Sequence, residues 1–159
     1  NIIQTKLKDK TTVILRPTNI IAPNTSTLLG QIVNSILTGE TFEAWESSLV
    51  TKRDYIWIDD VVDGVVRLVE MIQADCLRGN TEMNFCMGKS YSLREIIDQV
   101  QKSTMKELKL DITESGEFRQ KNLRVFSIFK HRLFEKRNTD LETAIQEIVQ
   151  LNKYSKRVW

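Results

Sequence analysis

The sequence predicts an α/β fold with a parallel element. Three observations point there. Short continuous apolar runs, Val13-Ile14-Leu15 and Tyr55-Ile56-Trp57-Ile58, alternate with segments of helical periodicity, the order expected of β-α-β units. Runs of this kind suit strands covered on both faces, as in a parallel sheet. The intervening helices carry their own start and stop residues.

The elements follow in order. Pro17 lacks an N–H and ends the ladder of the first strand, Val13 to Leu15. Residues 18–27 are rich in Thr, Asn, Ser and Pro, which predicts a loop. In "STLLGQIVNSILTGE" the residues Leu28, Leu29, Ile32, Val33, Ile36 and Leu37 share one helical face. Ser26 or Thr27 caps it, and Gly39 stops it. Residues 41–52 predict short strand pieces carrying Phe42, Trp45, Leu49 and Val50. After the strand Tyr55 to Ile58, Asp60 and Asp63 predict the N-terminus of a helix. That helix is expected to bury Val61, Val62, Val65, Leu68, Val69 and Ile72, with Gly64 where another backbone approaches closely. "EMNFCMG" predicts a strand closed by Gly88. Ser92 and Glu95 then form a capping box, with Tyr91 stapling onto Ile96. A last helix is expected from Thr139, with Glu142 at the capping-box position and Leu141, Ala144, Ile145, Ile148 and Val149 buried.

Composition narrows the function. A chain of 159 residues, 41% apolar and 28% charged, is sized for a hydrophobic core and composed as a soluble globular protein. A net charge of +2 gives no bulk attraction for nucleic acid or membrane. No apolar run approaches the ~20 residues that span a bilayer. The two cysteines, Cys76 and Cys86, have no metal or redox spacing, so reduced thiols in a cytoplasmic protein are expected. No metal site is expected.

Catalytic patterns are missing. The six glycines are scattered and make no phosphate-cradling loop. His131, the one histidine, lies among bulky and basic neighbours, where a structural role outweighs a catalytic one. None of Tyr55, Tyr91 and Tyr154 has a lysine four residues on. Two binding patterns remain. "LRPTNIIAP" runs from a strand into a polar loop, placing Thr18 and Asn19 at the strand's carboxyl end, where open α/β sheets bind ligands. "RDYIWIDD" sets Arg53 before an apolar strand and Asp59-Asp60 after it. A guanidinium fork suits a phosphate oxygen, whereas the aspartates suit a helix N-terminus.

Three blocks, "TTVILRPTNIIAP", "RDYIWIDDVVDGVVRLVE" and "MNFCMGKSYSLREIIDQVQ", in this order and at these separations, resemble the NAD-dependent epimerase/dehydratase family. These are extended short-chain dehydrogenases acting on nucleotide sugars. The resemblance implies the C-terminal part of a Rossmann-type parallel sheet plus a smaller mixed α/β substrate-binding domain. It places Pro17 and Thr18 beside an NAD or NADP cofactor. Asn19 contacts the sugar and Arg53 the diphosphate. In "FRQKN" it places Arg119 on the nucleotide, with Asn122 where the family has aspartate. Ala22 stands where a glycine is usual. The glycine-rich loop and the catalytic Tyr-x-x-x-Lys of the family are absent from this sequence. The chain opens on Asn1, and residues 1–10 resemble the end of the helix that would carry that pair. A C-terminal portion, without catalytic residues and inactive alone, is therefore expected.

The implied division is residues 1–23 as the end of the dinucleotide-binding domain and 24–59 as a substrate-binding segment. Residues 60–88 return to the Rossmann sheet, and 89–159 form the C-terminal substrate-binding domain. The expected partner is a nucleoside-diphosphate sugar, and the parent enzyme is expected to be a homodimer. Two alternatives stand beside this reading: a non-catalytic sugar-nucleotide-binding module, and an interaction protein using an unpaired strand edge at Val13 to Leu15.

Overall fold

A computed structural model describes residues 10–23, 27–114, 122, 125 and 139–155. In chain order the described elements are β1 (Thr12–Pro17), β2 (Asn19–Ile21), α1 (Leu28–Thr38), β3 (Thr41–Trp45), α2 (Glu46–Val50), β4 (Lys52–Trp57), α3 (Ile58–Gln73), β5 (Asn80–Phe85), β6 (Ser90–Ser92), α4 (Leu93–Thr104), β7 (Lys109–Thr113) and α5 (Leu141–Ser155). The alternation predicted from sequence is present, and three of the four strand pairings are parallel. These are β1 with β5, β2 with β4, and β3 with β7. The fourth, β4 with β6, is antiparallel.

Two hydrophobic cores result, and β4 straddles them. Successive strand side chains point to opposite faces. Tyr55 and Trp57 enter the larger core, built mainly from α1, α4 and α5. Ile56, between them, enters a smaller core with Met83, Phe85 and Leu68 beside β1 and β5. Adjacent residues of β2 divide in the same way, Ile21 into the larger core and Ile20 against the smaller.

Several local expectations hold. Thr27 caps α1 through its hydroxyl, and Gly39 ends that helix at φ +77°, a left-handed conformation that glycine adopts without strain. Ser92 and Glu95 form the predicted capping box on α4. Leu141, Ala144, Ile145, Ile148 and Val149 are all buried.

Other expectations are corrected. Residues 19–21 are a strand rather than loop, because β4 offers them a parallel ladder. Residues 46–50 form a helical turn. β4 begins at Lys52, so Arg53 lies inside the strand opposite Tyr91 rather than ahead of it. α3 begins at Ile58, which puts Asp59 and Asp60 in its first turn rather than at its cap. Asp60 is buried, and its carboxylate accepts the N–H and the O–H of Thr139, each at 2.9 Å. Thr139 is thereby committed to α3. The α5 N-terminus is closed by Asp140, whose Oδ1 accepts the Thr143 N–H at 2.8 Å.

The largest departure is on α3. Leu68 is buried as expected, and Val61 and Ile72 are half-buried. Val62, Val65, Val66 and Val69 are 52, 38, 52 and 48% exposed. Periodicity marks an apolar face but not the width of the layer beneath it. Among the described residues the sheet formed by β1 and β5 has two strands, too few to cover the helix. Val13 and Leu15 are accordingly half-buried rather than covered on both faces. Among the described residues no helix is long and apolar enough to cross a membrane.

Candidate functional site

The site forms where the carboxyl ends of β1 and β5 meet β4. Asp54, fully buried on β4, joins them. Its Oδ1 accepts the Met87 N–H at 3.1 Å and the Thr18 hydroxyl at 3.3 Å. Its backbone carbonyl accepts the Asn19 amide at 3.0 Å. Thr18 is held further: its N–H donates to the Phe85 carbonyl at 2.9 Å, and its hydroxyl lies 3.3 Å from the same oxygen. The polar loop after β1 is thus fastened to two other strands.

Strand alternation then sets Arg53 and Tyr55 on the opposite face of β4 from Asp54. Both line a cavity of about 590 Å³. Asn19 forms part of its rim, and β3 supplies Phe42, Glu43, Ala44 and Trp45. Arg53 and Glu43 are its only charged lining residues among those described. Burial pushes the Tyr55 phenol up to about 12, with the nearby Arg53 guanidinium opposing the shift. Tyr55 therefore stays neutral and works as a wall. Ser48, also in the lining, donates its hydroxyl to the Trp45 carbonyl at 2.6 Å, inside its own turn. This arrangement offers a cation, an amide and aromatic surfaces. It suits binding a flat, anionic molecule. Among the described lining residues no nucleophile is paired with a base, as acyl or phosphoryl transfer would require.

Neighbouring contacts hold the start of β4. The Lys52 N–H donates to Asn122 Oδ1 at 2.8 Å, and the Lys52 ammonium pairs with Glu95 at 3.0 Å. The Glu95 carboxyl is held below its ordinary range, first by the Ser92 backbone N–H and then by Lys52. The first contact brings the end of "FRQKN" next to Arg53. Among the described residues no group of His, Cys, Asp and Glu could hold a metal ion.

Of the residues singled out from sequence, Asn19 and Arg53 line one cavity. Pro17 and Thr18 lie at the end of β1 outside that lining, with the Thr18 hydroxyl turned inward onto Asp54. Arg119 and His131 lie outside the described residues. Sequence reasoning missed Asp54, and it missed β3 as a wall. Both had a signal. Asp54 alternates with Ile56 on one strand face, so a buried carboxylate needing partners was implied. In Thr41–Trp45 the same alternation exposes Glu43 and Trp45 together.

Residues 4–80 match the profile of the NAD dependent epimerase/dehydratase family. No curated protein matches the chain. Among solved structures, the UDP-glucose-4-epimerase from Stenotrophomonas maltophila with bound NAD and formylated UDP-arabinopyranose is 16% identical, with a TM-score of 0.80 over 99% of this chain and 52% of its own. The dTDP-glucose 4,6-dehydratase from Bacillus anthracis in complex with NAD is 16% identical, with a TM-score of 0.71 over 92% of this chain and 46% of its own. RMD from Pseudomonas aeruginosa, complexed with NADPH, is 20% identical, with a TM-score of 0.73 over 92% and 49%. At these identities the likeness establishes the fold alone.

That fold is mixed α/β with parallel strand pairs, similar to Rossmann-type epimerase/dehydratase folds. The resemblance to the NAD-dependent epimerase/dehydratase family is borne out. The profile covers the first two sequence blocks, and the fold likeness extends over the third. The chain spans about half the length of the solved structures it matches, 46% and 52% for the dehydratase and the epimerase.

Proposed function

We propose that this chain is the nucleotide-sugar-holding portion of an NAD(P)-dependent epimerase or dehydratase. Arg53 meets the diphosphate, Asn19 the sugar, and Arg119 the nucleotide. Pro17 and Thr18 stand beside the nicotinamide. The carrying observation is that Asn19 and Arg53, far apart in sequence, line one cavity with aromatic residues of β3 and β4. Solved structures of the same fold, described with UDP-glucose and NAD or with NAD+ and UDP, support the substrate and cofactor class.

The residues present fit the nicotinamide side only in part. The chain has no glycine-rich cradle for a pyrophosphate, so cofactor affinity would come mainly from elsewhere in the whole protein. When bound, the cofactor would accept or return a hydride at a sugar carbon. This chain's part is to bind and orient the sugar nucleotide. The division at residues 23, 59 and 88, a homodimeric parent enzyme and a cytoplasmic setting belong to the same proposal.

Calorimetric titration with UDP- and GDP-sugars tests it. Binding is expected, and Arg53→Ala should weaken it about tenfold or more, equivalent to ~1.4 kcal/mol. Unchanged affinity in Arg53→Ala would remove the diphosphate role. A second reading, an interaction module, is favoured by the exposed valines of α3. Self-association or partner capture lost on Val66→Lys, without any nucleotide binding, would favour it.

A further inference from the structure

The two exposed residues of β3 that border the cavity differ in chemistry. Glu43 and Trp45 stand two apart on one strand, so they share a face about 7 Å apart. Phe42 and Ala44, on the other face of the strand, belong to the larger core and border the same cavity from its apolar side. An indole 50% exposed at a cavity wall is a platform on which a planar base can stack. The group next to that platform is a carboxylate. Across the strand pair, Glu43 stands opposite Asp111 of β7, while Lys109 faces Thr41 one step along. Like charges directly opposite are unfavourable, so a donor-rich ligand edge at Glu43 relieves repulsion as well as forming bonds. Arg53 provides the one positive charge among the described lining residues, on β4. A ligand reaching from Arg53 to Glu43 therefore carries its negative charge at one end and hydrogen-bond donors at the other.

A carboxylate accepts and does not donate. Among the nucleobases, guanine presents two adjacent donors, N1–H and the N2 amine, which match the two oxygens of a carboxylate. Uracil and thymine present one N–H between two carbonyls, and those carbonyls face a carboxylate with like partial charge. Sites that pair a ligand's donors reject analogues lacking them far more strongly than apolar pockets reject a missing methylene.

We infer that Glu43 selects a guanine nucleotide, with the base stacked on Trp45 and its N1–H and N2–H donating to the Glu43 carboxylate. This rests on the cavity binding a nucleoside diphosphate at all, as proposed above. The test is titration of the 159-residue chain with GDP and with UDP, as wild type, Glu43→Gln and Arg53→Ala. GDP should bind at least tenfold tighter than UDP in the wild type. Glu43→Gln, which keeps the shape and replaces one acceptor with a donor, should reduce that preference to about threefold or less. Arg53→Ala should weaken both nucleotides alike. Glu43 is exposed, so its variants should keep the wild-type circular dichroism spectrum, and Glu43→Ala provides a second check. Equal binding of the two nucleotides, a preference for UDP, or a preference unmoved by either Glu43 variant overturns the inference and leaves the diphosphate reading standing. Failure of both nucleotides to bind, or indifference of both to Arg53→Ala, overturns the two together.

Discussion

Asp54→Ala is the perturbation that bears most directly on how the site is assembled. The side chain is completely buried, and its Oδ1 serves two donors, the Met87 N–H and the Thr18 hydroxyl. Alanine removes the acceptor shared by both donors at once. The Met87 N–H, just past the end of β5, loses a hydrogen bond to a charged group, worth about 1.5–3 kcal/mol. The Thr18 hydroxyl keeps the Phe85 carbonyl, so its loss is one hydrogen bond to a charged group, about 1 kcal/mol or somewhat more. Together the cost is roughly 2–4 kcal/mol, a large part of the ~5–15 kcal/mol that holds a domain folded. Asp54→Asn retains a side-chain oxygen and should lose about half as much. Urea denaturation followed by circular dichroism reads the difference as a shift in midpoint at constant slope. The damage should be directional, because the residue released, Thr18, leads directly into Asn19 at the start of β2. Nucleotide affinity should fall in Asp54→Ala even under conditions where the protein remains folded. A loss below about 0.5 kcal/mol, with affinity unchanged, would refute the idea that this carboxylate ties the three strand ends together.

Four further outcomes are expected. Asp60→Ala should destabilise the chain by about 2–3 kcal/mol in the same urea assay, since it strands the N–H of Thr139 and removes the acceptor of its hydroxyl. Ser92→Ala should cost about 1 kcal/mol and open the first turn of α4 to amide exchange. The Glu95 half of that capping box should hold above the unfolded glutamate value of about 4.3 and be lost as pH falls through its lowered folded value. Tyr55, pushed up to about 12 by burial, should be the last tyrosine to ionise in an absorbance titration. Because its folded value lies above the unfolded one, its contribution is complete below pH ~10. That contribution fades as pH rises towards 12, by up to about 2–3 kcal/mol at ~1.4 kcal/mol per pH unit. Ionisation of all tyrosines together near 10 would contradict its burial.

The parts of this fold that were legible in the sequence are those fixed by local chemistry. Thr27, Gly39, Ser92 and Glu95 act through their own backbone neighbourhoods, and all four sit where their residue types predict. The exposure of α3 was not legible. Its valine periodicity is the same whether a sheet of two strands or of seven lies beneath it, so Val62, Val65 and Val69 read as core. The end of α5 was misjudged because Thr139 and Asp140 are both good caps. Which one serves depends on Asp60, which is remote in sequence. The site was legible by halves. Arg53 and Asn19 were singled out from the sequence as flanking strands, and both line one cavity, although Arg53 proves to lie within β4. The alternation of Asp54 with Ile56 and of Glu43 with Trp45 is legible in each stretch, but the partners of Asp54 follow only from the convergence of β1, β4 and β5, and the β3 wall only from where β3 lies against the cavity.

The most direct measurement is a map of backbone and indole amide chemical shifts as a nucleoside-diphosphate sugar is added to the labelled chain. The account predicts that the largest changes fall on Asn19, Trp45, Ser48 and Arg53, around the cavity between β3 and β4. Changes confined to the valine face of α3, or none at millimolar ligand, would contradict it.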